Sequence, residues 1–361
     1  MTSQPVLRKR PTDDQDVPAL DALQWQIEYV TSASSPVAAL VLAAVRDDLG
    51  QGGTLATVLP RDVRFGDLIG LRVMAAVHRL ALERRAPHVA MHLPTLGGTP
   101  PLTAMAQESF RQAVVDSLAQ NQEVLRASLA RIPQTNETGR AALLRCALSR
   151  MDLSMPVRLR EVGASAGLNL RADHLPGNAN LEAGPLPVIV ERRGCDLNPV
   201  DPMRQDGRLT LSSYVWVDDV ERFDRLSRAL AVAARVPATV DVCEAGDFVE
   251  AVDTREGHTT VLWHSAMWLY LTSQSRSRSC RLPRPSGLGP PLRPRSSMPR
   301  GNGQGSPSTS TIPSTWSCAG GVAAPTTVPL RCSRMVRAMA LPTSSMGCRD
   351  SHWAVSRSRS E

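Results

Sequence analysis

The stretch Arg160-Glu161-Val162-Gly163-Ala164-Ser165-Ala166-Gly167-Leu168-Asn169-Leu170 decides how this chain is read. A short apolar-rich strand candidate, Val157–Val162, leads into it, and a helix-like stretch follows. The small residues at 163–167 let the backbone approach a ligand closely. A helix opening there offers free N–H groups to an anion. Glu161, directly before the glycine turn, can take the amino group of a cationic ligand.

Three readings of this turn stay open. A dinucleotide fingerprint, GxGxxG, fails because Ser165 and Leu168 stand where its second and third glycines belong. The order Glu-x-Gly-x-x-x-Gly resembles instead the first motif of class I S-adenosylmethionine-dependent methyltransferases, with Ser165 in place of the middle glycine. The same residues are formally GxSxG, a nucleophile elbow, which makes a serine hydrolase the second reading. That chemistry needs an acid and then a histidine downstream, and Asp247 and His264 supply the order. The third reading is a structural turn in a non-catalytic Rossmann-like binding module.

Further motifs follow downstream. Pro187–Glu191 leads to Gly194-Cys195-Asp196-Leu197-Asn198-Pro199. An acidic residue ending a second strand is where nucleotide folds hold ribose hydroxyls. An Asx-turn at Asp196, with Pro199 stopping the strand, explains the same residues blandly. Thr239–Cys243 is a third strand candidate, followed by Glu244-Ala245-Gly246-Asp247-Phe248. Asp247 reads as an adenine contact in the methyltransferase pattern, or as a helix N-cap. Thr259–Trp263 is a fourth strand, running into His264 and Ser265. Ligands sit outside the carboxyl ends of strands in open α/β sheets, so His264 is a candidate catalytic base.

Between these strands, Asp218–Ala234 has the apolar spacing of an amphipathic helix. Strands alternating with helices predict a parallel sheet. Upstream, residues 23–151 read as mostly helical; Leu68, Leu71, Met74, Val77 and Leu80 form one apolar stripe. Gln134-Thr135-Asn136-Glu137-Thr138-Gly139-Arg140 precedes a helix there. Thr135 or Asn136 fits as its N-cap, and the dense polar cluster could equally face a pocket. His88 and His92 share helical spacing, but Pro94 follows and no carboxylate accompanies them, so no metal site is expected.

Composition divides the chain near Ser275. Residues 275–361 hold 13 Arg against 2 acidic residues, with 18 Ser and 11 Pro and no sustained apolar period. The preceding 274 residues hold 28 basic against 32 acidic residues. The formal charge of +7 therefore belongs to the tail, and nucleic-acid binding by the folded part is not indicated. The tail composition cannot bury enough surface to fold, so a disordered tail is expected. Its abrupt onset after a buried-strand pattern suits a reading-frame change in GC-rich DNA.

The expected organisation is α/β: a disordered N-terminus over 1–21, a helical region over 22–155, a truncated Rossmann-like sheet over 156–274 and a disordered tail over 275–361. An open sheet edge is expected beyond the fourth strand. None of the seven cysteines forms a CxxC pair. No signal peptide or membrane span is apparent, so a cytoplasmic location and no membrane partner are expected.

Taken together, QTNETGR, REVGASAGLNL, RRGCDLNPVDP and the stretch around VLWHSAMWLYL resemble the actinobacterial domain-of-unknown-function family 2332. The resemblance covers about residues 22–271. It implies a methyltransferase-like fold with S-adenosylmethionine as cofactor and an unknown small-molecule substrate. On this pattern Glu161, Gly163, Ser165 and Gly167 would hold the methionine end, Asp196 and Asn198 the ribose, and Asp247 the adenine. His264 would stand near the methyl acceptor.

Overall fold

The computed structural model of the protein describes residues 10–151, 153–177, 184–265, 267 and 351–357. It begins with β1 (Asp16–Pro18), α1 (Ala19–Ser32), α2 (Pro36–Gly50) and β2 (Asp62–Arg64). The expected disorder over 1–21 therefore does not hold from Asp16 onward. Val17 pairs with Val63 across β1 and β2, and the segment before it is tied down by backbone bonds. The Gly66 N–H donates to Asp13 O at 2.8 Å and the Phe65 N–H to Gln15 O at 2.9 Å. The Arg10 guanidinium, 5.6 Å from the Phe65 ring centroid, adds a cation–π contact.

The predicted apolar stripe forms α3 (Ile69–Leu82), which is buried nearly all round and runs through the centre of the helical layer. The short α4 (Pro87–Ala90), then α5 (Ala104–Gln120) and α6 (Gln122–Ala130) complete that layer. Thr103 caps α5, its side chain accepting from the Ala106 N–H at 3.2 Å. Tyr214, Trp216 and Val217 enter this core from a later part of the chain. Buried His78 fixes the junction: Nδ1 lies 3.0 Å from Val215 O, and Nε2 lies 3.0 Å from Thr95 Oγ1. Burial lowers its pKa to about 4, so it acts as a neutral strut.

α7 (Arg140–Arg150) falls within the helical stretch of sequence yet packs under the sheet. The sheet strands are β3 (Val157–Val162), β4 (Ile189–Asp196), β5 (Thr239–Val242) and β6 (Thr259–Ser265). Connecting them are α8 (Gln205–Ser213), α9 (Val220–Ala233) and α10 (Ala245–Glu250). The sheet order is β5-β4-β3-β6, all parallel, followed by β7 (Ser351–Arg357), antiparallel beside β6. The chain is thus α/β, as its alternating pattern predicted.

The edge of β6 is not open as expected. β7 pairs along its whole length, from Thr259↔Arg357 to Ser265↔Ser351. Those seven residues come from the stretch expected to be disordered; the rest of 275–361 lies outside the described residues. The free edge is instead at β5, where Val242 is 75% exposed and Val190 of β4 is 51% exposed.

The two faces of the sheet differ. Val157, Leu159, Val261 and Trp263 point into a core shared with α7 and α9. The opposite face carries a smaller cluster of Val162, Cys195, Phe248 and Leu262. Beside it lie Arg158 and Arg160, both buried in the central strand. Glu191 bridges them at 2.6 Å each, and Asp253 meets Arg158 at 2.9 Å.

Candidate cofactor site

The strand order reverses at β3, which has β4 on one side and β6 on the other. In doubly wound sheets a crevice opens at such a point, outside the carboxyl ends of the strands. A cavity of about 940 Å³ lies there. Its floor is the Gly163 turn, with Ser165, Cys195, Asp196, Ser265 and Met267 around it. Its far wall comes from the helical layer, through Arg10–Asp14, Arg64, Gly66 and Arg72.

The turn itself takes a left-handed backbone at Gly163 (φ 69°), Ser165 (φ 53°) and Gly167 (φ 64°). Gly163 is needed for space as well: a Cβ there would stand 2.6 Å from Met267 Cβ. The turn does not open a regular helix, in contrast to its sequence reading. Asn169–His174 forms 3-10 turns with a break at Arg171 (φ −103°, ψ 23°). Arg171 folds back and donates to Gly167 O at 2.7 Å and to Val236 O at 2.6 Å, tying the turn to the segment before β5. Dipole stabilisation of an anion by a long helix therefore does not operate at this turn.

The Gln134–Arg140 segment faces the cavity and braces this turn. Gln134, Thr135, Asn136 and Arg140 all line the wall. Asn136 caps no helix; the residue at the N-cap of α7 is Gly139. Its amide instead donates to Ala164 O at 3.2 Å and accepts from the Leu168 N–H at 3.3 Å. Gln134 Oε1 accepts the Ser165 hydroxyl. Glu137 pairs with Arg222 and Arg225, anchoring the segment to α9.

Asp196 ends β4 at the cavity wall, as the sequence predicted for a ribose-binding acid. Both of its oxygens accept backbone N–H groups at 2.9 Å, one from Ser165 and one from Asn198. The Asx-turn and the cavity position are thus properties of one residue. Asn198 is exposed beyond the turn and does not line the cavity. Gly167 also stands back from it, its Cα facing Val240 closely enough that a Cβ would come within 2.9 Å of Val240 Cγ2.

Glu161 is buried at 1% exposure beneath the turn. Burial pushes its carboxyl up to about 8; the Trp263 indole, the Arg140 charge and the Asn169 amide oppose that rise, while Asp196 adds to it. Asp247 is exposed in the first turn of α10 and does not line the cavity; Glu244 and Ala245 do. The N-cap position of α10 is Glu244, without a side-chain bond. His264 is half-buried near the end of β6, and its neighbours Ser265 and Met267 border the cavity in its place.

The hydrolase reading fails on this geometry. The Ser165 hydroxyl donates to an amide oxygen rather than to an imidazole. No histidine is among the described residues that line the cavity. A nucleophilic serine needs a base within hydrogen-bond reach.

A family model described as "Uncharacterized protein conserved in bacteria (DUF2332)" matches residues 21–178 and 174–282. The chain belongs to that family. No curated protein and no solved structure matches it. Within the family match fall every element from α2 to β6, α1 from Asp21 onward, and all the residues of the cavity except Arg10–Asp14. No described helix is long and apolar enough to cross a membrane, and no described cluster of His, Cys, Asp or Glu could hold a metal ion.

Proposed function

We propose that this member of the DUF2332 family binds S-adenosylmethionine in the β3–β6 cavity and is a methyltransferase-like protein acting on a small molecule. One observation carries the reading: the glycine turn and the strand-end acid Asp196 meet at a single cavity at the point where the strand order reverses. That is where doubly wound folds take nucleotides. The order β5-β4-β3-β6 supports it, since it matches the 3-2-1-4 part of such a fold's strand order.

The residues present suit the cofactor. Gly163 leaves backbone room over the turn. Asp196 retains carboxylate lone pairs for ribose hydroxyls beyond the two it commits to backbone. On the adenine side Glu244, with Ala245, replaces Asp247 as the residue at the wall. The bound group would supply an activated methyl. The strap Arg10–Asp14 and Arg64, across the cavity, would bind and orient the acceptor. Calorimetry of the full chain with S-adenosylmethionine tests the reading, and absence of binding at millimolar ligand refutes it.

The sequence beyond the family match reads as a frame change. Its support is that the match ends at residue 282, close to the change in composition at 275. Resequencing the gene and translating the alternative frame is the test. Strand and helix patterns should appear there, and their absence overturns this reading.

A further inference from the structure

Three sulfur-bearing side chains, Cys195, Cys243 and Met267, line the cavity and pack in one cluster on the thinly covered face of the sheet. Both cysteines are free thiols. Cys195 is in register with Asp241 on β5, and the Cys243 N–H, donating to Asp196 O at 3.3 Å, carries that ladder past the strand end. Two residues separate Asp241 from Cys243, so the two cysteines project from the same face. Arg193 and Asp241 stand on the same diagonal two residues earlier, and their side chains meet at 2.6 Å. Each thiol is near enough to act on the ionisation of the other. Met267 approaches from beyond β6: its Cβ and Cγ lie 2.6 and 3.1 Å from where a Gly163 Cβ would stand. The Gly163 N–H in turn favours a Cys195 thiolate, so one glycine neighbours both sulfur residues.

A disulfide does not fit this pair. Strands about 4.8 Å apart and a two-residue offset of about 6.6 Å put the cysteine Cα atoms about 8 Å apart. A disulfide spans at most about 7 Å between Cα atoms. A shared metal ion adds two bonds of about 2.3 Å and spans the gap. We propose that Cys195, Cys243 and Met267 form a binding site for a soft monovalent cation, copper(I), with two thiolates and one thioether as ligands. Sulfur donors of this kind select copper(I). Structural zinc sites are closed by four ligands, and three sulfurs fall short of that. Burial pushes both thiols up, so copper(I) displaces two protons as it binds. The resulting complex carries one negative charge, and Arg193, whose charge already acts on Cys243, offsets it. The site and the cofactor reading do not depend on each other.

The sequence holds four further cysteines beyond residue 275, Cys280, Cys318, Cys332 and Cys348, and α7 holds Cys146. The full chain with serine at the four later positions is therefore titrated anaerobically with copper(I) against the chromogenic chelator bicinchoninate. One equivalent should be retained, and X-ray absorption should show three sulfur neighbours at about 2.3 Å. Cys243→Ala should abolish retention and Cys146→Ala should not, with thermal unfolding of the metal-free proteins showing that both fold. Met267→Leu keeps the volume, and should weaken retention about tenfold or more and reduce the sulfur shell to two. No retention, retention that survives Cys243→Ala, or an unchanged sulfur shell in Met267→Leu would overturn the site. None of these outcomes bears on S-adenosylmethionine binding, which calorimetry reads separately.

Discussion

Glu161 and Trp263 are register partners on the adjacent parallel strands β3 and β6, both buried on the face that packs against α7 and α9. A carboxyl held up at about 8 by burial, against its ordinary 4.5, is protonated at neutral pH in the folded protein and ionised in the unfolded chain. The folded state then binds more protons, so this group's contribution to stability is complete below the unfolded value and is lost as pH rises toward the folded one. The full effect is at most about 5 kcal/mol. Urea denaturation at pH 5, 7 and 9 should show Glu161→Gln gaining on the parent protein as pH rises. Parallel curves for the two proteins would mean that Glu161 is not shifted.

Asn136 is a brace for the turn, and its loss should be felt as instability. Asn136→Ala removes a bond at each end of the turn; Ala164 O keeps the Gly167 N–H, while the Leu168 N–H loses the amide that accepts it. The expected cost is about 1–3 kcal/mol. Thr135→Ala, one residue away and only half-buried, should stay within about 0.5 kcal/mol of the parent. Equal costs at the two positions in denaturant titrations would refute the bracing role.

Gly163 and Gly97 offer a controlled comparison. Both have left-handed backbones, with φ of 69° and 79°. A Cβ at Gly97 meets nothing within 4 Å, whereas one at Gly163 meets Met267 Cβ at 2.6 Å. Gly97→Ala should therefore cost about 1–2 kcal/mol, the backbone term alone. Gly163→Ala adds a steric term of about 1–3 kcal/mol, and the shift of Met267 should also disturb the cavity. Thermal unfolding of the two variants gives the difference, which should largely vanish when Gly163→Ala is compared in a Met267→Gly background, where the clashing Cβ is gone.

The strands were legible because their apolar runs are short and bounded by turn residues: β3 matches its predicted span Val157–Val162. The amphipathic helix at 218–234 appears as α9, Val220–Ala233, capped by the Asp219 side chain, which accepts from the Arg222 N–H at 3.0 Å. The polar content of Gln134–Arg140 also hinted correctly at a pocket. Other parts were hidden. The break at Arg171 depends on Val236 O, some 65 residues away in the chain, so no local pattern announces it. The wall Arg10–Asp14 has a polar composition that reads as disorder, whereas the Gly66 N–H to Asp13 O bond and the Arg10 contacts with Trp25 and Phe65 hold it. Arg140 and Asn169 sat inside quoted motifs, but their common direction into one cavity is a tertiary fact.

The central strand holds a pair of buried cations, which no strand pattern in the sequence predicts inside a sheet. Arg158 and Arg160 alternate with Leu159, so both fall on the thinly covered face. Their side chains are only 7% and 4% exposed, and Glu191 on the neighbouring strand meets both at 2.6 Å. Asp253 pairs with Arg158 at 2.9 Å. Removing Glu191 thus leaves Arg160 as a buried charge without its carboxylate, a change that costs about 3–5 kcal/mol in comparable sites. Asp253→Ala, which deletes a largely exposed carboxylate, should cost about 1 kcal/mol or less. Urea titrations of Glu191→Ala and Asp253→Ala at neutral pH give the comparison. Arg160→Met in the Glu191→Ala background should recover much of the loss, because it removes the stranded charge and keeps the volume. No recovery there would show that the cost comes from packing rather than from charge.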